Sequence, residues 1–310
     1  EHIYCTLNAG DETETPPERL ELLMKYAVPN MKKLNTFGCH TIVDTTPPPA
    51  RAQPYVYKQV SEAAGINIIL STGVYREIPV GSYWAKTEED SIWHFARNSS
   101  CEELAEFMLK EFELGIGGSG VKPGTIKIAS SSDVLTKTEM KAFKAASMVQ
   151  GQTGVHITTH CDFRHDSHSP KAQLDILEKN KVNPERIVLG HTGINIVEWP
   201  EETRECMKRG AVFLPTNLRM DDDWEFIKRL VDSIRQLFYE GYEDYLVLGL
   251  DWGFENEIGI FIPCSYMPPP PYVYLYYYTL PRMRKLGLEE EAIYRMTVVN
   301  PKRILPVQGI

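Results

Sequence analysis

Four residues able to hold a metal stand at the ends of short apolar runs. They are Lys127 in Ile126-Lys127-Ile128, His160 after Thr158-Thr159, His191 after Leu189-Gly190, and Asp251 in Gly249-Leu250-Asp251-Trp252. Lys, His, His and Asp in that order, one or two βα units apart, are hard to explain as core packing. They describe a metal site assembled at the rim of a barrel. Taken singly, each has an ordinary role: a lone Lys snorkels to solvent, a His after a strand packs or caps, and an Asp before a helix caps it. Together they point to chemistry. A Lys desolvated at a strand end has a lowered pKa, and its neutral amine can take up CO2 as a carbamate, a carboxylate on a long arm able to bridge two cations.

Two further histidines need placing. His156 shares a face with His160 by period-two alternation, so either could be the ligand. His160 is favoured because barrel sites sit at the C-terminal ends of strands, which leaves His156 to the core or to a supporting contact. His165 and His168, in the polar segment that follows, read as surface residues. His2, in Glu1-His2-Ile3, reads as the second member of a His-x-His pair whose first member would stand just before Glu1. That spacing puts two imidazoles on one face of a strand, ready to hold one metal.

The elements that must position these residues alternate along the chain. Strand-like runs lie at Thr41 to Asp44, Ile66 to Leu70 leading into Ser71-Thr72-Gly73-Val74-Tyr75, Gly124 to Ile128, Val155 to Thr159, Arg186 to Leu189, Ala211 to Leu214 and Tyr245 to Leu250. Between them, stretches such as Glu102 to Leu109 and Trp224 to Leu230 repeat apolar residues at i, i+3 and i+4, the pattern of helices laid on a sheet. Seven strands alternating with helices imply parallel strands covered by helices, and an eighth would close a (β/α)8 TIM barrel. The first strand is expected at or before Glu1. No linker or repeat divides the chain, so residues 1–310 read as a single barrel domain.

Two Pro-rich stretches punctuate the pattern. Thr45-Thr46-Pro47-Pro48-Pro49 stiffens a βα loop. Met267-Pro268-Pro269-Pro270-Pro271 runs into Tyr272, Tyr274, Tyr276, Tyr277 and Tyr278, and reads either as a rigid loop leading to an aromatic core helix or as a lid over the barrel mouth. Asn300-Pro301 is expected to end the last helical pattern.

Composition excludes several classes. A chain of 310 residues with 43% apolar content can bury a large core. Its net charge of −9 argues against nucleic-acid or anionic-membrane partners, which reward Lys and Arg. No run is long and apolar enough to span a bilayer. Six cysteines without CxxC spacing speak against a zinc ribbon and for a reducing, cytoplasmic setting; the chain opens at Glu1 without Met, so an export signal could precede it. There is no GxSxG elbow, and the glycines from Gly115 to Gly120 lack the Gly-Lys-Ser/Thr ending of a phosphate loop. They read as a turn before the Lys127 strand.

These segments resemble the phosphotriesterase family of the amidohydrolase superfamily over nearly the whole chain. The likeness runs through Thr41 to Asp44, Gly73-Val74-Tyr75, Gly115-Ile116-Gly117, Gly124-Thr125-Ile126-Lys127, Thr158-Thr159-His160, Gly190-His191, Asp251-Trp252-Gly253 and Val299-Asn300-Pro301. It implies a (β/α)8 barrel with two divalent metals, commonly zinc, and a possible homodimer. Lys127 would be the carboxylated bridge, His160 and His191 would bind one metal, and His2 and Asp251 the other. A hydroxide held between the metals would attack the substrate's carbonyl or phosphoryl centre, and Asp251 would accept or relay the proton. Tyr75 and Gly253 resemble the lactonase branch, where the Tyr would lie near the hydroxide, so a lactone or related ester is the expected substrate and organophosphate triesters a side activity. Thr192-Gly193-Ile194-Asn195 departs from the family by lacking the acid often placed there as a proton relay. The competing readings are a dedicated phosphotriesterase and a catalytically inactive barrel that binds a ligand.

Overall fold

Short β-branched runs separated by amphipathic segments give a parallel sheet whose strands follow chain order. The computed structural model describes residues 1–4, 17–48, 51, 53–77, 89, 92–216, 218, 224–253 and 271–306. Its strands are β1 (Thr41–Asp44), β2 (Asn67–Val74), β3 (Thr125–Ala129), β4 (His156–His160), β5 (Ile187–Gly190) and β6 (Val212–Leu214). Each pairs in parallel with the next, in the order β1-β2-β3-β4-β5-β6. Helices α1 (Pro54–Ala64), α2 (Cys101–Leu114), α3 (Lys137–Thr153), α4 (Ser169–Lys179), α5 (Pro200–Arg209) and α6 (Trp224–Tyr239) follow the six strands in turn. Parallel neighbours demand such crossovers, and helices over the sheet let β3, β4 and β5 be buried along their whole length.

Among the described residues the regular ladder has six strands, against the eight expected of the full barrel. The run Tyr245 to Leu250 makes a single parallel bridge, Leu246 to Phe213, with the Val247 N–H donating to the Phe213 carbonyl at 3.0 Å. Its neighbour β6 is only three residues long and offers it little edge to pair along. On the far side of that run His2 bridges Gly253, its N–H donating to the Trp252 carbonyl at 2.6 Å. Glu1 in turn lies against the end of β1, accepting from the Thr45 N–H at 3.0 Å and donating to the Val43 carbonyl at 2.9 Å. These two short segments carry the curl of the sheet from β6 back to β1.

The helices begin where their sequences cap them. Ser100 and Glu103 form a reciprocal capping box on α2, as Thr136 and Glu139 do on α3. Pro301 does not end the last helix. It lies inside a continuous helical run from Glu290 to Ile304, just past the π-helical turn Arg295–Val299 that shifts the backbone pairing ahead of it. Asn300 is fully buried and donates to the Glu243 and Leu246 carbonyls at 2.8 and 2.7 Å, pinning the Leu246 run from below.

Tyr272 and Tyr274 are buried within the aromatic segment as an aromatic core helix requires, whereas Tyr277 is exposed. The lid reading falls on residues 254–270, outside the described residues. Cys39, Cys101, Cys161 and Cys206 are free thiols. Among the described residues no helix is long and apolar enough to cross a membrane.

Candidate metal centre

Lys127 lies in the middle of β3, opposite Gly73 of β2 and Thr158 of β4. It does not snorkel: it is 6% exposed, and its amine donates to the Thr159 carbonyl at 3.3 Å. Burial pulls the amine down to about 8, against the opposing pull of the Asp251 carboxylate. At neutral pH an appreciable fraction is therefore the uncharged nucleophile. Close backbone approach on either side depends on glycine. Gly73 has φ +131°, and a Cβ on it would meet the Lys127 carbonyl at 1.9 Å; a Cβ on Gly190 would meet the Thr159 carbonyl at 2.4 Å.

Three imidazoles share one construction. His2 Nδ1 lies 2.8 Å from Thr46 Oγ1, His160 Nδ1 lies 3.4 Å from the Tyr75 hydroxyl, and His191 Nδ1 lies 2.7 Å from Thr216 Oγ1. At His160 and His191 a hydroxyl that accepts the Nδ1–H leaves Nε2 as the lone-pair nitrogen, the arrangement by which metal-ligating histidines are oriented, whereas His2 donates from Nε2 to the Asp251 carboxylate and accepts the Thr46 hydroxyl at Nδ1. His2 Nε2 then stands 3.1 Å from Asp251 Oδ1, and His191 Nε2 stands 3.8 Å from Asp251 Oδ2. His160 packs edge-on to His191 at 4.2 Å between ring centres, and its Nε2 is buried with no hydrogen-bond partner among the described residues. Burial depresses both imidazoles, His191 to about 4 and His160 well below the ordinary histidine value. Both are neutral ligand forms at physiological pH.

Asp251 and His191 are two of the few non-glycine residues in the left-handed region, with φ of 56° and 62°. Such strain persists where the surroundings hold it in place. For Asp251 the clamp is Glu1, whose carboxylate accepts the N–H of Leu250 at 2.9 Å and of Trp252 at 2.8 Å, bracketing the turn. Burial acts to raise the Asp251 carboxyl, but the His2 hydrogen bond and the neighbouring positive charges outweigh it and hold the group ionised. A cavity of about 230 Å³ beneath these side chains is lined by Lys127, His191 and Asp251 at one end, and by His156, Val188, Val247 and Ile304 deeper in the sheet's curl. His156 is thus a core histidine, pushed to about 3 by burial and then by Arg186.

The donor set fits divalent metal. Two ligand atoms on one tetrahedral zinc stand about 3.4 Å apart, given metal–ligand distances near 2.1 Å. His2 Nε2 and Asp251 Oδ1, the pair assigned to one metal, stand 3.1 Å apart, near that figure. Among the described residues no three His, Cys, Asp or Glu side chains already converge on one point. His2 and Asp251 bond to each other, and Lys127, which would offer carboxylate oxygens once carboxylated, is not a His, Cys, Asp or Glu side chain.

All six of the residues singled out from sequence (His2, Tyr75, Lys127, His160, His191 and Asp251) meet at this end of the sheet. His165 is exposed and His168 pairs with Glu202 at 3.0 Å away from the site, as surface residues do. Sequence reasoning missed the supporting groups Glu1, Thr46, Thr216 and Glu139. Buried Glu139 accepts from Glu77 N at 3.1 Å, Ser131 N at 2.9 Å, Ser131 Oγ at 2.5 Å and Thr136 N at 3.0 Å. It therefore ties the segment carrying Tyr75 to the loop after β3. Its capping-box position was visible in the sequence, but its reach to Glu77 was not.

Comparison with known proteins agrees with this geometry. The model of the phosphotriesterase family matches residues 2–305. An aryldialkylphosphatase of Saccharolobus solfataricus is 26% identical over 283 residues, covering 90% of this chain and 84% of that protein. A phospho-furanose lactonase of Mycoplasmopsis synoviae is 24% identical, covering 98% of this chain and 86% of that protein. The solved structure of an organophosphorus hydrolase from Deinococcus radiodurans superposes with a TM-score of 0.79 at 28% identity, over 99% of this chain and 91% of that one.

Proposed function

The chain belongs to the phosphotriesterase family, and within it we propose a metal-dependent hydrolase of lactones or related carboxylic esters, with organophosphate triesters as side substrates. The observation that carries this reading is the common construction of His2, His160 and His191. Each is held at Nδ1 by a hydroxyl, and Nε2 of His2 and of His191 stands 3.1 and 3.8 Å from the Asp251 carboxylate. His160 Nε2 is buried without a hydrogen-bond partner among the described residues, a cost that a bound metal would remove.

In this reading His2 and Asp251 would hold one divalent metal and His160 and His191 the other, with carboxylated Lys127 as a further ligand. The metals, zinc being the natural occupant of such a donor set, would polarise the scissile carbonyl and lower the pKa of the attacking water. The protein supplies the rest. Asp251, held ionised, is the base that takes a proton at Oδ, and the bracket of Glu1 keeps it aimed inward. Tyr75 fixes the His160 ring through its hydroxyl and stands at the mouth where a leaving oxygen would emerge. Tyr272 donates to the His2 carbonyl at 3.1 Å and holds that segment beside Asp251. The whole chain acts as one barrel unit on a small-molecule substrate.

Turnover of a medium-chain γ-lactone and of an aryl dialkyl phosphotriester by the metal-loaded protein tests the assignment. The lactone is expected to give the higher kcat/KM. Faster phosphotriester turnover would instead identify a dedicated phosphotriesterase.

A further inference from the structure

The entrance above His160 and His191 is walled by aromatic rings on two sides. Phe163, half exposed, has its ring centre 6.1 Å from that of His160 and 5.6 Å from that of His191. Tyr75 stands 5.3 Å from His160 on the other side. Beyond Tyr75 lies Arg76, its Cζ 5.7 Å from the centre of the Tyr75 ring. Arg76, Tyr75, His160 and His191 thus form a consecutive row of contacts, the rings meeting edge-on, that leads to the candidate centre.

Arg76 differs from the other arginines near this end of the sheet. Arg51 pairs with Glu111, Arg97 with Glu77 and Arg164 with Asp162. Among the described residues no carboxylate lies within ion-pair distance of Arg76, and its sequence neighbour Glu77 is committed to Arg97. Its charge is felt inside the site: it is among the groups that depress both His160 and His191. A partly buried guanidinium without a counter-charge, held against an aromatic face at the rim of a polar site, is built to receive an oxyanion. Its planar fork binds carboxylate or phosphate oxygens two at a time.

We propose that the substrate carries an anionic group set about one aromatic ring's breadth from its scissile bond, and that Arg76 binds that group while Tyr75 and Phe163 enclose the segment between. The proposal rests on the hydrolase reading for the position of the scissile bond. It narrows the substrate to acidic lactones or esters, in which a phosphomonoester or a carboxylate supplies the anion.

The test uses three γ-lactones that differ only at the end of the side chain: hydroxymethyl, its phosphate ester, and carboxylate. The matching γ-lactams, which resist turnover, serve for calorimetric binding. The proteins are the metal-loaded wild type, Arg76→Met and Arg76→Lys, with metal content measured for each. Loss of a charge-assisted contact predicts that Arg76→Met weakens the charged lactams and raises KM for the charged lactones about ten- to a hundred-fold. Constants for the uncharged compounds should stay within about two-fold, and Arg76→Lys should recover part of the loss. The larger effect between phosphate and carboxylate identifies the anion. Equal effects of Arg76→Met on charged and uncharged compounds, or no preference of the wild type for charged ones, would overturn the proposal. Arg76-dependent lactam binding without turnover of any lactone would preserve the anion site and count against the hydrolase reading alone.

Discussion

Gly73 on β2 stands directly opposite Lys127 on β3, so close that a Cβ at Gly73 would lie 1.9 Å from the Lys127 carbonyl oxygen. The approach sets the depth at which the Lys127 amine is buried. Gly73→Ala must push β2 and β3 apart or twist a residue at φ +131°, and we expect a loss of roughly 2–4 kcal/mol together with loss of turnover. Gly38→Ala is the control. It has φ +77° and open space around its Cβ position, so only the conformational cost of about 1 kcal/mol applies. Urea denaturation of both variants checks the contrast; equal losses would remove the packing argument.

Thr216 orients His191 through its Nδ1 at 2.7 Å. Thr216→Val keeps the shape and removes the hydroxyl, so metal affinity should fall about 10- to 100-fold with little change in fold. Competition with a chelator of known affinity measures this. Unchanged affinity would mean that the hydroxyl merely satisfies a buried nitrogen.

Glu139 is a positioning residue, since it touches the backbone of the Tyr75 segment rather than the site. Glu139→Gln replaces one acceptor oxygen by a donor among groups that all donate. A stability loss of about 1–3 kcal/mol is expected. If Glu139 acts through Tyr75, the effects of Glu139→Gln and Tyr75→Phe on kcat/KM should be markedly less than additive in the double variant. Full additivity would separate the two residues.

His156 makes acid stability predictable. Its folded-state value of about 3 lies below the ordinary 6.5 because burial disfavours the charged ring. The unfolded chain therefore binds a proton that the folded chain refuses between those limits. Above pH 6.5 the group contributes no pH dependence. As pH falls from 6.5 toward 3 it removes up to about 1.4 kcal/mol per pH unit. His156→Gln should flatten the acid limb of a plot of urea midpoint against pH by up to one proton's slope; an unaltered slope would show that His156 is solvated in the folded state.

How much of this was legible in the sequence follows from what each feature depends on. β1 to β6 and the strand-end positions of His160 and His191 were readable because local patterning and chain order alone set them, whereas Lys127, read at a strand end, lies in the middle of β3. The run Tyr245 to Leu250 reads as a strand locally, yet ladder pairing depends on its neighbours, and β6 offers only three residues. Pro301 was misread as a terminator because local sequence does not reveal the π-helical turn Arg295–Val299 through which the helix continues. The hydroxyls of Thr46 and Thr216 gave no signal at all. Their function arises only when the fold brings them within 2.8 Å of His2 and 2.7 Å of His191, from 44 and 25 residues away. Glu1, 249 residues from Leu250, is hidden for the same reason.

The central claim is that the inward-facing nitrogens of His2, His160 and His191, with Asp251 and Lys127, form a binuclear hydrolytic centre. Metal content per chain, measured together with γ-lactone hydrolysis before and after chelation, tests it most directly. Two divalent metals per chain, with turnover that chelation abolishes and added zinc restores, is the predicted result. A folded chain that takes up no metal, or whose hydrolysis survives chelation unchanged, would contradict it.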